Sequence, residues 1–116
     1  MTEILSSTIA RLRGLADIYP GRDNLSIYIF GSVTHGSKRP NDIDILIVYS
    51  TGNFDLAHEL ATHFRRLDVY PSIEVLALSR DEERETDFIR TVQAVEVWPK
   101  SHPMSGFVEG PALGYR

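Results

Sequence analysis

Cysteine is absent from this chain, which excludes disulfide bridges and metal sites built from thiolates. Long apolar runs are also lacking, since none approaches the ~20 residues that a membrane-spanning helix requires. The first residues, Met-Thr-Glu, have neither the basic nor the apolar region of a signal peptide. We therefore expect a cytoplasmic protein that does not associate with membranes.

Basic residues are fewer than acidic ones, with 12 Lys and Arg against 16 Asp and Glu and a formal net charge of −4. Because lysine and arginine supply most of the nonspecific affinity for nucleic acids, we expect no broad nucleic-acid binding. A length of 116 residues with 42% hydrophobic content is typical of one globular domain with a buried core. We expect no second domain in a chain of this length.

Apolar spacing along the chain predicts helices and strands in alternation. Helices are expected over about residues 3–18, 54–67 and 79–91, and strands over about 25–30, 42–48, 72–78 and 94–98. We expect Asn53 to cap the second helix, with Phe54 on its buried side, and Ser79 and Glu82 to form a capping box. In the third helix, Phe88 and Ile89 should face inward. Residues 1–98 are expected to form the domain and 99–116 a loose tail.

Two carboxylates, Asp42 and Asp44, open the strand that continues as Ile45–Val48. Because this continuation is apolar on both faces, it predicts a central strand buried from both sides. Side chains two apart in a strand share a face, roughly 6.5–7 Å apart along the chain, so these carboxylates can converge on one ion. Magnesium is typically held by one or two carboxylates together with the phosphates of its substrate. For either acid alone, a solvated strand entrance after Pro40 is the competing explanation.

Gly31 and Ser32 follow the first predicted strand and precede the acids. A glycine there permits a positive φ and lets a phosphate approach the backbone closely, and the serine adds a hydroxyl donor. Such a pair alone is an ordinary turn. Joined to Asp42 and Asp44, it predicts a site for a metal-bound triphosphate.

The pattern Phe-Gly-Ser-x-x-x-Gly followed by Arg-Pro-x-Asp-Ile-Asp resembles the nucleotidyltransferases of the DNA polymerase beta superfamily. It is most similar to the minimal nucleotidyltransferases of prokaryotes, stand-alone catalytic domains that often accompany a HEPN-domain toxin. The likeness runs from about Leu25 to Trp98. Nine residues separate Ser32 from Asp42 where ten are frequent in that group, and His35 stands where many members carry arginine.

The resemblance implies a single-domain nucleotidyltransferase fold of the α/β (α+β) class, with a mixed sheet of about four strands flanked by about three helices. It implies Asp42, Asp44 and a third acid, matched by Glu74, as catalytic residues and ligands of two Mg²⁺ ions. Gly31 and Ser32 would bind the nucleotide. The alternative for Glu74 alone is an edge-strand residue that faces water.

The activity that the resemblance implies is transfer of a nucleoside monophosphate, AMP from ATP, to a hydroxyl. In the similar toxin–antitoxin pairs the acceptor is a tyrosine of the HEPN toxin, so this chain would act as an antitoxin. An alternative is a nucleotide-binding scaffold, weakly active or inactive, that neutralises its partner by contact. A polymerase subunit would need a basic surface that the charge balance does not supply.

Other patterns carry less weight. His58-Glu59 with His63 looks like a zinc-protease motif, but that motif needs histidines four apart on a helix, and these are five apart. Lys38 and Arg39 could contact a triphosphate or simply belong to a solvated loop.

Overall fold

The computed structural model describes residues 3–19, 24–31, 42–67 and 72–99. These ranges hold four helices and four strands, each of which follows a predicted segment closely. In chain order they are α1 (Glu3–Ile18), β1 (Leu25–Phe30), β2 (Asp42–Tyr49), α2 (Phe54–Arg65), β3 (Ser72–Ser79), α3 (Arg80–Thr86), α4 (Phe88–Val92) and β4 (Val95–Trp98).

The four strands form one mixed sheet in the order β3-β2-β1-β4. Strand β1 runs antiparallel to both β2 and β4, whereas β2 and β3 are parallel because α2 connects them. Strand β2 is thus central, and all four residues of its segment Ile45–Val48 are buried. The predicted mixed four-stranded sheet with flanking helices, and the burial of its second strand on both faces, are confirmed.

The main core lies on one face of this sheet, between the strands and helices α1 and α2. Alternate residues of the central strands point toward the helices, as the two-residue period of a strand requires. The largest fully buried members of this cluster are Leu12, Leu25, Ile27, Ile43, Ile45, Ile47, Leu60, Phe64 and Val97. The opposite face of β2 begins with Asp42 and Asp44 and is apolar only further along, at Leu46 and Val48.

Helix α2 departs from the prediction at its start. Phe54 is 53% exposed instead of buried, and its ring lies against those of Tyr49 and His58. Asn53 stands at the predicted N-cap position, but its side chain makes no capping hydrogen bond; its amide nitrogen donates to the carbonyl of Ser50 at 3.3 Å. The first turn of α2 therefore lies at the rim of the core.

The predicted third helix is divided into α3 and α4 at Asp87. The capping box is confirmed: the Ser79 hydroxyl accepts from the Glu82 backbone N–H at 3.1 Å, and the Glu82 carboxylate accepts from the Ser79 N–H at 2.8 Å. Asp87 adopts the left-handed conformation, with φ of 53°, and ends α3. The Glu83 carboxylate then accepts the Ile89 N–H at 3.1 Å, which satisfies a donor exposed by the break.

Strand β4 is attached to α1 by two side-chain hydrogen bonds. The Arg13 Nε donates to the Val97 carbonyl at 2.7 Å, and the Trp98 indole N–H donates to the Asp17 carboxylate at 2.8 Å. Since Arg13 and Asp17 are four apart on α1, they project from the same side of the helix. These bonds fix the edge of the sheet opposite β3.

Two further predictions concern the C-terminal tail and membrane-spanning helices. The predicted loose tail, 99–116, lies outside the described residues apart from Pro99. Among the helices that the structure describes, none has both the length and the apolar character needed to cross a membrane.

Candidate functional site

The site is organised around a row of three side chains that crosses three strands. Phe30, the last residue of β1, is the cross-strand partner of Asp44 in β2, and Asp44 is in turn the partner of Glu74 in β3. Directly paired residues of neighbouring strands project from the same face, with strands spaced about 4.8 Å apart. We call Phe30, Asp44 and Glu74 the site row.

Asp42 joins this row because it precedes Asp44 by two residues in the same strand and shares its face. Burial raises the pKa of the Asp44 carboxyl, and the charges of Asp42 and Glu74 together with the Asp42 hydrogen bond raise that pKa further. Asp44 is thus held in negative potential, which a bound cation would relieve.

Gly31 closes the site at the end of β1. Its φ is +88°, a conformation that side chains rarely adopt, and a Cβ built there would lie 2.2 Å from the Asp44 Oδ2. The Asp44 carboxylate therefore occupies the space beside the Gly31 backbone that a Cβ would need. The positive φ that the sequence allows at this turn is present, whereas the approach of a phosphate to the Gly31 backbone stays a prediction.

Glu74 fits both alternatives that the sequence left open, an acid of the site and an edge-strand residue that faces water. It is exposed, and β3 is an edge strand of the sheet. It nevertheless shares a face with Asp44 and contributes to the raised pKa of that group. The outer end of the site row is thus an acid that solvent and an incoming molecule can reach.

The donor chemistry of Asp42 and Asp44 fits a hard divalent cation, for which two carboxylates and the oxygens of a substrate are a common ligand set. Within the described ranges, no group of three or more His, Cys, Asp or Glu side chains is arranged to hold a metal ion. The assignment of Glu74 as a third ligand, and of two Mg²⁺ ions, stays a prediction.

The predicted contributor Ser32 and the candidate triphosphate contacts Lys38 and Arg39 lie outside the described residues, as does His35. Ser32 therefore stays a predicted nucleotide-binding residue.

The histidines of α2 take no part in the site. His58 packs against Phe54, and His63 lies edge-on to Tyr19, so the two rings have separate aromatic partners. This agrees with their five-residue spacing, which does not place both on one helix face.

Sequence reasoning did not associate two aromatic residues with the site: Phe30, which is paired with Asp44, and Phe88, whose ring contacts Phe30. Their rings meet edge to face, with centroids 5.2 Å apart and an interplanar angle of 89°. The only sequence signal for Phe30 was its position directly before the glycine of the motif. Its position opposite Asp44 follows from strand register, and the contact with Phe88 depends on the break at Asp87.

Comparison with solved structures shows a distant structural likeness. A protein from Sulfolobus solfataricus, whose crystal structure is named that of a "putative nucleotidyltransferase", is similar to this chain with a TM-score of 0.47 and 22% sequence identity. The match covers 84% of this chain and 89% of that one. No protein-family model matches the sequence, and no curated protein is significantly similar to it. A likeness this distant establishes neither a family nor an activity for this chain.

Proposed function

We propose that this protein is a magnesium-dependent nucleotidyltransferase that transfers a nucleoside monophosphate, AMP from ATP, to a hydroxyl group. The observation that carries the proposal is the contact of Gly31 with the Asp44 carboxylate, inside a row that also contains Glu74. A glycine beside paired acids suits a phosphate chain that reaches the backbone while its charge is neutralised by a cation.

In this proposal Asp42 and Asp44 hold the cation, and their shared face directs both carboxylates toward the same space. Bound there, Mg²⁺ would supply Lewis-acid stabilisation of the negative charge that develops on the phosphoryl oxygens. Because Gly31 has no Cβ, the Asp44 carboxylate can lie directly beside its backbone, next to the space proposed for the phosphates. Glu74 provides a predicted further ligand at the exposed end of the row.

The proposed reaction forms a bond between the acceptor oxygen and the α-phosphorus and breaks the bond from that phosphorus to the bridging oxygen. Pyrophosphate leaves, and the acceptor hydroxyl gives up its proton. In this proposal the exposed Glu74 carboxylate accepts that proton. We assign the acceptor to a tyrosine of a HEPN-type toxin, by analogy with the group of enzymes that the sequence resembles.

A second candidate function is a scaffold that binds a nucleotide and neutralises its partner by contact. The observation in its favour is that the described acids form no three-ligand metal group. The two functions differ in whether a covalent product appears on the partner.

The deciding experiment incubates the chain with Mg²⁺, α-labelled ATP and the candidate toxin. We expect label on the toxin, its loss in Asp44→Asn, and its retention in Glu85→Gln, which removes an exposed charge from α3 outside the site row. Label that persists at the wild-type level in Asp44→Asn would refute the proposed site. Stable binding of the toxin without label, by wild type and variant alike, would support the scaffold.

A further inference from the structure

The pair of rings formed by Phe30 and Phe88 has no evident part in the main core. Neither ring belongs to the cluster of buried residues between the sheet and helices α1 and α2, nor to the six apolar side chains packed against that cluster. Both rings are half-buried. They therefore form a separate aromatic surface on the face of the sheet that carries the acids.

The position of this surface relative to the acids is set by strand pairing. Phe30 is directly opposite Asp44, and the next residue, Gly31, touches the Asp44 carboxylate. The other end of the site row is Glu74, which is charged and exposed. A ligand whose phosphates lie at Asp44 thus has an apolar aromatic neighbour on one side and a carboxylate on the other.

The segment that carries Phe88 is held in place by polar contacts as well as by packing. The left-handed residues Asp87 and Gln93 bound the five-residue helix α4 at its two ends. Asp87 also pairs with Arg90, and Ile89 donates its N–H to Glu83. Such fixed backbone geometry pre-orders the ring of Phe88, which lowers the entropy lost when a planar ligand binds against it.

We propose that the rings of Phe30 and Phe88 form the subsite on which the base of the bound nucleoside triphosphate stacks. This inference rests on the proposed function, because the phosphates must occupy the region of Asp42, Asp44 and Gly31. Bases stack readily on aromatic side chains, and the stacking is sequence-tolerant because every base has a π face. The larger ring system of a purine offers more stacking area, so ATP is expected to bind better than CTP.

The test compares ligands that share the phosphates and differ in the base. Equilibrium binding of ATP, CTP and inorganic tripolyphosphate, each with Mg²⁺, is measured on the full chain. In Phe88→Leu we expect about tenfold weaker ATP binding, by the usual strength of base stacking, with tripolyphosphate binding unchanged. The matched control is Phe54→Leu, which truncates an exposed phenylalanine whose ring instead meets Tyr49 edge to face.

Each outcome has a distinct meaning. A wild-type chain that binds neither ATP nor tripolyphosphate overturns the proposed function and this subsite together. If the wild type binds both, equal affinity of Phe88→Leu for ATP, or an equal loss for ATP and tripolyphosphate, overturns the subsite alone. Phe88→Trp keeps a stacking surface, so it should retain ATP affinity and change its fluorescence on binding; it provides the test if Phe88→Leu does not fold.

Discussion

Replacement of Gly31 by alanine tests the close contact at the centre of the site. The new methyl group would meet the Asp44 Oδ2 at 2.2 Å, and the backbone would have to keep a φ of +88°. Gly52 provides a matched control, because it also has a positive φ, +95°, but a Cβ there meets nothing within 4 Å. Comparing the two variants separates the cost of backbone conformation from the cost of the contact with Asp44.

The expected magnitudes follow from these two terms. A left-handed conformation costs an alanine about 1–2 kcal/mol, which the smaller entropy of the unfolded chain offsets by about 0.4–1 kcal/mol. Gly52→Ala should therefore lower the free energy of unfolding by about 1 kcal/mol. Forcing a methyl group into occupied space adds about 1–3 kcal/mol, so Gly31→Ala should lose about 2–4 kcal/mol.

The assay is urea denaturation of both variants, followed by the fluorescence of the single tryptophan, Trp98. A further comparison places Gly31→Ala in an Asp44→Ala background, where the clashing oxygen is absent and the excess loss should disappear. Equal losses in Gly31→Ala and Gly52→Ala, or an excess that persists without the Asp44 carboxylate, would refute the contact.

Three other predictions concern charge, capping and the attachment of β4. Because the pKa of the Asp44 carboxyl is raised in the folded protein, ionisation of this group destabilises the fold, and stability should rise as the pH falls through that pKa. Thermal melts should therefore show Asp44→Asn more stable than wild type at pH 7, and this difference should disappear below the ordinary pKa of 3.8. Ser79→Ala should lower the free energy of unfolding by about 1 kcal/mol in urea titrations. Glu82→Gln can keep the capping box, so its free energy of unfolding should fall less, and an equal fall in the two variants would contradict the box. Asp17→Ala removes the hydrogen-bond acceptor of the Trp98 indole, so we expect a shifted tryptophan emission and a free energy of unfolding lower by about 1 kcal/mol. An unchanged emission spectrum would show that this hydrogen bond is absent in solution.

The sheet and the acid pair could be predicted from sequence because both depend on short-range patterns. The apolar run after Asp44 identified a strand buried on both faces, and two-residue spacing placed Asp42 and Asp44 together. The capping box is equally local, since Ser79 and Glu82 are three residues apart.

The sequence predictions failed where the structure depends on distant segments or on local hydrogen bonds that compete with the predicted ones. Phe54 has the spacing of a core residue, but it falls at the first turn of α2 and packs on the rim. Asn53 has the side chain of a typical N-cap, yet its amide donates to the Ser50 carbonyl and no capping hydrogen bond forms. The break at Asp87 has no glycine or proline to signal it, and the Glu83 side chain stabilises it from within α3.

The pairing of Phe30 with Asp44 bears on which insertions and deletions this chain can tolerate during evolution. Residues 32–41 join two positions that the β1–β2 ladder already fixes, so a change in the length of that segment need not displace the acids. A single-residue deletion inside β2, in contrast, would turn every later side chain of the strand to the opposite face. Homologous sequences should therefore vary in spacer length between Gly31 and Asp42 while keeping the strand lengths constant.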